Sequence, residues 1–252
     1  MDMYREYGSA TRTNRGTPKP QIKALTNTRA TYQEIANSPS AKRARTKPIL
    51  SYLRLEASLQ QSSQTVTWNV LATQSNTGNQ TTPTELRLQL NDSFTMLQLG
   101  FFIEKIGSTA TYSSLTAANF ATGQLGTFPD PKVYTGSNEA ANLRALYNGN
   151  LNLTIIDKVV IKNFPMLKFY RVPQAQQTIA FYTGGPAQVA GWENPNYGLI
   201  DFTPAITIEG SQNIQFTCNV PASVDTSGTS SSNVAVLFLY GFLLQNGAGY
   251  NR

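Results

Sequence analysis

Side chains that commonly carry enzyme chemistry are scarce in this chain of 252 residues, which has no histidine and a single cysteine, Cys218. The lack of histidine removes Ser-His-Asp and Cys-His activation of a nucleophile, together with the commonest transition-metal ligand. One cysteine cannot form an intramolecular disulfide, and without histidine it cannot build a structural zinc site. We therefore predict no metal site and no cofactor. We expect Cys218, in the alternating stretch NIQFTCNV, to be a small buried side chain.

Carboxylates are the remaining candidates for catalysis, because two of them facing each other across a cleft are enough for a glycosidase. Residues 49–252 contain eleven acids, and the sequence does not pair any two of them. Most acids of a β-sandwich lie at strand ends or in turns. We therefore predict a protein that is not an enzyme, with no catalytic residue and no small-molecule substrate. The eleven acids are Glu56, Glu85, Asp92, Glu104, Asp130, Glu139, Asp157, Glu193, Asp201, Glu209 and Asp225.

Positive charge is concentrated in the first fifth of the chain. Residues 1–48 hold ten Lys and Arg against three acids, a net charge of +7, whereas the whole chain has a net charge of +6. Cationic side chains on a flexible segment neutralise phosphates without needing a defined geometry. We predict that these ten residues bind nucleic acid: Arg5, Arg12, Arg15, Lys19, Lys23, Arg29, Lys42, Arg43, Arg45 and Lys47.

An aromatic loop is the second candidate contact site. Trp192 and Tyr197 lie in AGWENPNYG, whose Gly and Pro content predicts a loop. An exposed aromatic ring can stack on a sugar, and it can equally anchor its loop against the domain or a neighbouring subunit. Both interpretations, a glycan-binding loop and a subunit-contact loop, remain open from the sequence.

Alternation of apolar and polar residues with a period of two dominates the chain from Ile49 onward. Nine to eleven such stretches, separated by turn-rich loops, predict an all-β protein built as a sandwich or jelly roll. One short helix is predicted in SNEAANLRALY, with Ser137 as its cap and Leu143, Leu146 and Tyr147 on one face. The clearest strand candidates are TVTWNV, ELRLQL, MLQLGFFI, LNLTI, KVVIKNF, MLKFYRV, AITIEG and NVAVLFLYGFLL.

The same patterns divide the chain into a basic, Pro/Thr-rich amino-terminal arm, residues 1–48, and a β-sandwich domain, residues 49–252. Four prolines in the arm argue against a long helix, and we expect an extended segment. A short helix is conceivable in TRATYQEIAN, on Tyr32, Ile35 and Ala36. The last predicted strand, NVAVLFLYGFLL, is apolar on both faces, which is typical of a central strand.

A basic arm followed by a proline and a many-stranded sandwich with long loops resembles the coat proteins of small tailless icosahedral viruses, phages among them. The stretches that carry the resemblance are NDSFTMLQLGFFI, TFPDPKVY, LYNGNLNLTI and VLFLYGFLLQNG. The resemblance is one of layout over most of the chain, and none of its motifs is diagnostic alone. It implies a jelly-roll β-sandwich with an extended basic arm. A compact double jelly roll is the alternative.

The resemblance also implies a function. Such a chain is a capsid structural protein of the virion, a high-order homo-oligomer that assembles into an icosahedral shell and contacts the packaged genome through its arm. Other virion proteins or an internal membrane are further partners in shells of this kind.

Two other functions stay open from the sequence. A virion spike, fibre or lectin-like sandwich would use the arm as an anchor and the Trp192 loop for carbohydrate. A glycosidase-like enzyme would need two convergent carboxylates.

Overall fold

The computed structural model describes residues 19–59, 63–74, 85–107, 125–131, 133–134, 136–172, 198–227 and 231–248. Within these ranges the backbone alone is described for residues 19–27, 43, 63, 106–107, 222–224 and 231–232. The helices are α1 (Lys19–Asn37), α2 (Pro39–Ala44) and α3 (Glu139–Arg144), with 3₁₀ turns at Ala145–Asn148 and Met166–Phe169. The strands are β1 (Ile49–Ser58), β2 (Ser63–Asn69), β3 (Ser93–Gly107), β4 (Asn150–Ile155), β5 (Lys158–Pro165), β6 (Leu199–Glu209), β7 (Ile214–Val224) and β8 (Ser231–Leu244).

In the part of the chain that the structure describes, the eight strands form two four-stranded antiparallel sheets. The first sheet has the order β1-β8-β3-β6 and the second has the order β2-β7-β4-β5. The first four strands pair with the last four in reverse order: β1 with β8, β2 with β7, β3 with β6 and β4 with β5. The prediction of an all-β sandwich is therefore confirmed.

The core lies between the two sheets and is built by alternation. On β8 the side chains of Ala235, Leu237 and Leu239 point into the core, and all three are fully buried. Val234 and Val236 on the opposite face are buried as well, so this strand is covered on both sides. The prediction of a central strand here is confirmed, since β8 lies between β1 and β3.

Aromatic side chains connect the two layers. Trp68 on β2 donates a hydrogen bond from Nε1 to the backbone oxygen of Ala235 on β8, at 2.8 Å. The ring of Phe101 on β3 meets both Trp68 and Tyr147 edge to face, with centroid distances of 6.1 and 5.2 Å. Burying side chains of this size stabilises the fold by about 1.5–3 kcal/mol each. Cys218 is buried in the same core, as predicted.

A short crossing segment joins the two sheets along one flank. Leu86 exchanges backbone hydrogen bonds with Arg54 on β1, and the Leu88 N–H donates to the oxygen of Val70, just past the end of β2. The prediction of a regular strand in ELRLQL was wrong: only isolated bridges form there, and Leu90 is 52% exposed. The segment passes from one sheet to the other, so its alternating side chains do not share one buried face.

Two other local predictions were wrong. The stretch MLKFYRV is not a strand, because Met166–Phe169 forms a 3₁₀ turn that buries Met166 and Phe169. The helix α3 begins after Asn138, which has a left-handed backbone (φ 60°), and not after Ser137. The predicted helix itself is confirmed, and Leu143, Leu146 and Tyr147 are all buried.

The predicted arm, residues 1–48, is called the basic segment from here on. It forms the helices α1 and α2 between residues 19 and 44, so the expectation of an extended arm was wrong in this range. Pro20 lies in the first turn of α1 and Pro39 in the first turn of α2, where proline is tolerated because the first backbone N–H groups of a helix have no partner inside it. Ser38 caps α2 through a hydrogen bond from the N–H of Ala41 to its Oγ, at 3.2 Å. The prolines therefore mark helix starts here.

The carboxyl-terminal half of the basic segment contacts the sandwich. The ring of Tyr32 on α1 meets Phe242 on β8 edge to face, with 5.6 Å between centroids. Ala41 is 3% exposed, and Pro48 is buried directly before β1. The Thr46 hydroxyl donates to the backbone oxygen of Gln245, at 2.9 Å. These contacts hold the segment against one end of the first sheet.

Candidate functional site

Four of the ten predicted nucleic-acid-binding residues have described side chains, and all four are exposed: Arg29, Lys42, Arg45 and Lys47. Lys19, Lys23 and Arg43 lie on the helices α1 and α2, where only the backbone is described. The remaining three, Arg5, Arg12 and Arg15, lie outside the described residues. The structure therefore brings Lys42, Arg45 and Lys47 together in one short exposed stretch.

The position of this stretch is set by the chain on either side of it. Arg45 ends α2 with a left-handed backbone (φ 53°), which turns the chain toward the sheet. Thr46 is tied to Gln245, one residue past the end of β8, and Pro48 is buried. Arg45 and Lys47 are thus fixed at the end of the first sheet where β1 begins and β8 ends.

The outer face of the first sheet next to these cations is aromatic, which the sequence analysis did not predict. Tyr52 on β1 stacks on Phe238 of β8, with 4.9 Å between centroids and 13° between planes. Tyr52 remains 46% exposed and its neighbour Leu50 remains 51% exposed. We call the outward-facing residues Leu50, Tyr52, Phe238, Tyr240 and Phe242 the aromatic face. The signal was present in the sequence. Leu50 and Tyr52 are an odd number of residues from the core residue Leu53, so on a strand their side chains point away from the core.

The other half of the same outer face holds a buried charge network. Arg54 on β1 donates to Glu56 at 2.6 Å and, across β8, to Glu104 on β3 at 2.5 Å. Both carboxylates are under 5% exposed. Burial raises the pKa of Glu104; the Arg54 guanidinium opposes this shift and the nearby Glu56 carboxylate adds to it.

A second arginine extends this network. Arg87 binds both oxygens of the Glu85 carboxylate, at 2.8 and 2.9 Å, and donates to the backbone oxygen of Gln74. Glu85 also accepts from the backbone N–H of Glu56, at 3.2 Å. The five side chains of the network, Arg54, Glu56, Glu85, Arg87 and Glu104, hold two positive and three negative formal charges.

These contacts bear on the carboxylate pair that a glycosidase would need. Glu56 and Glu104 do converge, but both are occupied by the same guanidinium and are almost inaccessible. A carboxylate pair held this way is suited to joining β1 to β3 across β8. Its geometry does not supply the open cleft that a sugar ring requires.

A third polar cluster lies at the end of β3. Glu139 accepts from Lys105 at 3.1 Å, from Asn233 at 3.0 Å and from the backbone N–H of Gly136 at 2.9 Å. Desolvation raises the pKa of Glu139, but the three hydrogen bonds and the charge of Lys105 outweigh it, so the net shift is downward. This carboxylate joins α3, β3 and β8.

A pocket of about 720 Å³ lies beside α3. Its walls include Phe128, Pro129, Tyr134 and Tyr170, and its exposed cation is Arg144, whose guanidinium lies 5.6 Å from the centroid of Tyr170. The volume is in the range of ligand pockets, and the wall is mainly apolar. It lies near the start of β4.

Other features add no chemistry among the described residues. The Trp192 and Tyr197 loop lies outside them. The described part of the chain has no cluster of three or more His, Cys, Asp or Glu residues that could hold a metal ion. None of its helices is both long and apolar enough to cross a bilayer. Burial raises the pKa of the Cys218 thiol to about 12, so this residue is inert as a nucleophile.

Comparison with known proteins gives no relative: the chain matches no protein family, no curated protein and no solved structure. Function must therefore be argued from the strand arrangement, the basic segment and the surfaces described above.

Proposed function

We propose that this protein is a viral capsid subunit, a jelly-roll sandwich that assembles with many copies of itself into an icosahedral shell and contacts the packaged genome through its basic amino-terminal segment. The observation that carries the proposal is the strand pairing. A long hairpin of eight strands, wound into two sheets, pairs its strands one with eight, two with seven, three with six and four with five. This pairing supports a jelly roll, a fold that viral capsid domains use.

The place of the basic segment supports the same proposal. Its exposed cations Lys42, Arg45 and Lys47 lie immediately before β1, and Thr46 and Pro48 fix them at the end of the first sheet. In a shell whose subunits lie side by side, every copy would present this end toward the same side of the wall. Phosphates beneath the wall would then meet a repeated array of fixed cations.

The rest of the surface is suited to contact with identical copies. Residues 49–252 have almost no net charge, so identical neighbours would not repel one another. Large apolar side chains are exposed around the β4–β5 hairpin: Ile156, Val159 and Val160 are each about half exposed. Exposed apolar groups of this size commonly mark protein contacts.

The strand count favours a single jelly roll over the compact double one. The two described sheets enclose one shared core, and each of the eight strands contributes at least one side chain to it. The spike, fibre or lectin-like alternative gains no support, since its carbohydrate loop lies outside the described residues.

The direct test is whether the purified full-length chain forms closed particles. We expect negative-stain electron microscopy and light scattering to show particles of uniform diameter that protect nucleic acid from nuclease. A full-length variant with Lys42, Arg43, Arg45 and Lys47 changed to Gln should still form particles but protect less nucleic acid. A chain that stays monomeric at every concentration and salt tried would contradict the proposal.

A further inference from the structure

The aromatic face is an exposed apolar surface beside fixed positive charge. Leu50 and Tyr52 are each about half exposed, although they belong to a strand whose other side lines the core. The face is continuous across two strands, because Leu50 lies opposite Phe242 and Tyr52 lies opposite Tyr240. The helix α1 covers one end of it through the contact of Tyr32 with Phe242, and leaves Leu50 and Tyr52 open.

The rings of this face are already arranged for stacking. Tyr52 and Phe238 are nearly parallel at 4.9 Å, so the Tyr52 side chain is held in place by its neighbour. A planar ligand that stacks on such a ring loses little further side-chain entropy on binding. Base–aromatic stacking of this kind depends on the π-face alone and tolerates any base.

The charges around the face are complementary to phosphate. Arg45 and Lys47 are exposed and lie within five to seven residues of Tyr52, which at about 3.3 Å per extended residue is roughly 17–23 Å. The acids Glu56 and Glu104 lie at the other end of the same outer face, and both are held by Arg54. Arg54, the charged residue closest to Tyr52 along β1, is thus already paired, and the exposed cations beside this face are Arg45 and Lys47, at the end where β1 begins.

We propose that the aromatic face binds an unpaired stretch of nucleic acid, with a base stacked at Tyr52 and phosphates several nucleotides along the same strand on Arg45 and Lys47. The inference rests on the proposed function and narrows it, since it names the form of nucleic acid and the surface that takes it. Bases in a duplex hide their faces in the stack, so only an unpaired strand offers a face to Tyr52. A duplex would meet the cations alone.

The test compares binding of a fluorescent twelve-nucleotide oligothymidine and a twelve-base-pair duplex to the full-length chain, across a series of salt concentrations. We expect Tyr52→Ala to weaken binding of the single strand about tenfold, with no change in salt slope or in duplex affinity. Tyr52→Phe should bind as the unaltered chain does. Leu90→Ala removes an apolar side chain of similar exposure elsewhere and is the matched control.

Thermal unfolding of each variant shows whether the fold is retained. If Tyr52→Ala is unstable, Tyr52→Leu takes its place, because it keeps an apolar side chain but offers no π-face and should weaken single-strand binding in the same way. The inference is overturned if Tyr52→Ala binds the single strand as tightly as Leu90→Ala, or if it loses single-strand and duplex binding equally. In either case the unaltered chain would still bind both probes, and the proposed function would stand. Failure of the unaltered chain to bind either probe at low salt would contradict both.

Discussion

Arg54 is the residue on which the outer face of the first sheet depends electrostatically. It is bound by two buried carboxylates, Glu56 and Glu104, which would repel each other without it. Removing one partner of a buried ion pair can leave an uncompensated charge, which costs about 3–5 kcal/mol. The network holds one more carboxylate than guanidinium groups, so removing one carboxylate charge need not leave a charge uncompensated.

We therefore expect Arg54→Met to lower the free energy of unfolding by about 3 kcal/mol, and Glu104→Gln to change it by less than about 1 kcal/mol. The pKa of Glu104 is raised, so the folded chain binds this carboxyl proton more tightly than the unfolded chain does. The ionised carboxylate therefore lowers the stability of the fold at pH 7, and removing its charge should cause no large loss. Urea unfolding at pH 7 measures both. Equal losses of unfolding free energy in the two variants would show that the network does not tolerate the removal of one negative charge better than the removal of Arg54.

Glu139 gives the opposite pH dependence, because its pKa in the folded chain is lowered. A lowered carboxyl pKa contributes stability above the unfolded value of about 4.5, and this contribution is lost as the pH falls through the folded pKa. We expect Glu139→Gln to be about 1–3 kcal/mol less stable than the unaltered chain at pH 7, with the difference shrinking below pH 4.5. A difference that stays constant from pH 7 to pH 3 would contradict this assignment.

At the scale of elements, α1 contacts the sandwich through the ring pair of Tyr32 and Phe242. An aromatic pair of this kind contributes about 0.5–1.5 kcal/mol beyond the area it buries. We expect Tyr32→Ala to speed proteolytic cleavage between residues 19 and 44 several-fold while leaving the unfolding temperature of the sandwich almost unchanged. Tyr32→Phe is the control, and an unchanged cleavage rate in Tyr32→Ala would show that other contacts hold the helix.

The elements also show which local patterns predict structure. Strands with clear alternation, such as β2 and β4, were found where the period of two placed them, because one face of each lines the core. MLKFYRV was misassigned because its apolar residues are buried from a 3₁₀ turn, in which spacing of three places Met166 and Phe169 on the same side. In ELRLQL the alternation was real, but the chain crosses between sheets within it.

The helical form of residues 19–44 was missed for a different reason. Four prolines argue against a long helix in the arm, but proline is unfavourable only inside a helix and is accepted in its first turn. Position within the helix cannot be read before the start of the helix is known. The strand β1 begins at Ile49, directly after the predicted arm.

At the scale of the whole molecule, strand pairing could not be predicted from the sequence. Each pair in the β1–β8 and β2–β7 ladders joins residues more than 140 positions apart, and alternation specifies which face is buried but not which strand is the neighbour. The basic residues were predictable from charge alone. The aromatic face beside them was not, because it needs β1 and β8 side by side to bring Tyr52 onto Phe238.

The charge of the basic segment leads to a prediction for the complete chain. Neutralising one phosphate of a single strand contributes about 0.7 to the slope of log affinity against log salt concentration. If Lys42, Arg43, Arg45 and Lys47 each contact one phosphate, changing all four to Gln should reduce that slope by about 3. Fluorescence titrations at several salt concentrations measure it, with Lys158→Gln plus Lys162→Gln on β5 as a control; an unchanged slope would mean that these residues do not contact phosphate.

The crossing segment at Leu86 and Leu88 affects how the sheet edges of two molecules could pair. It bridges the β1 edge of one sheet at Arg54, and it pairs with the other sheet just past β2, where Leu88 meets Val70 and Leu71. Fibrils grown by strand addition require two open edges on every sheet, one to accept and one to extend. A strand of a second molecule could therefore pair along the whole of β1 only after the crossing segment had left Arg54.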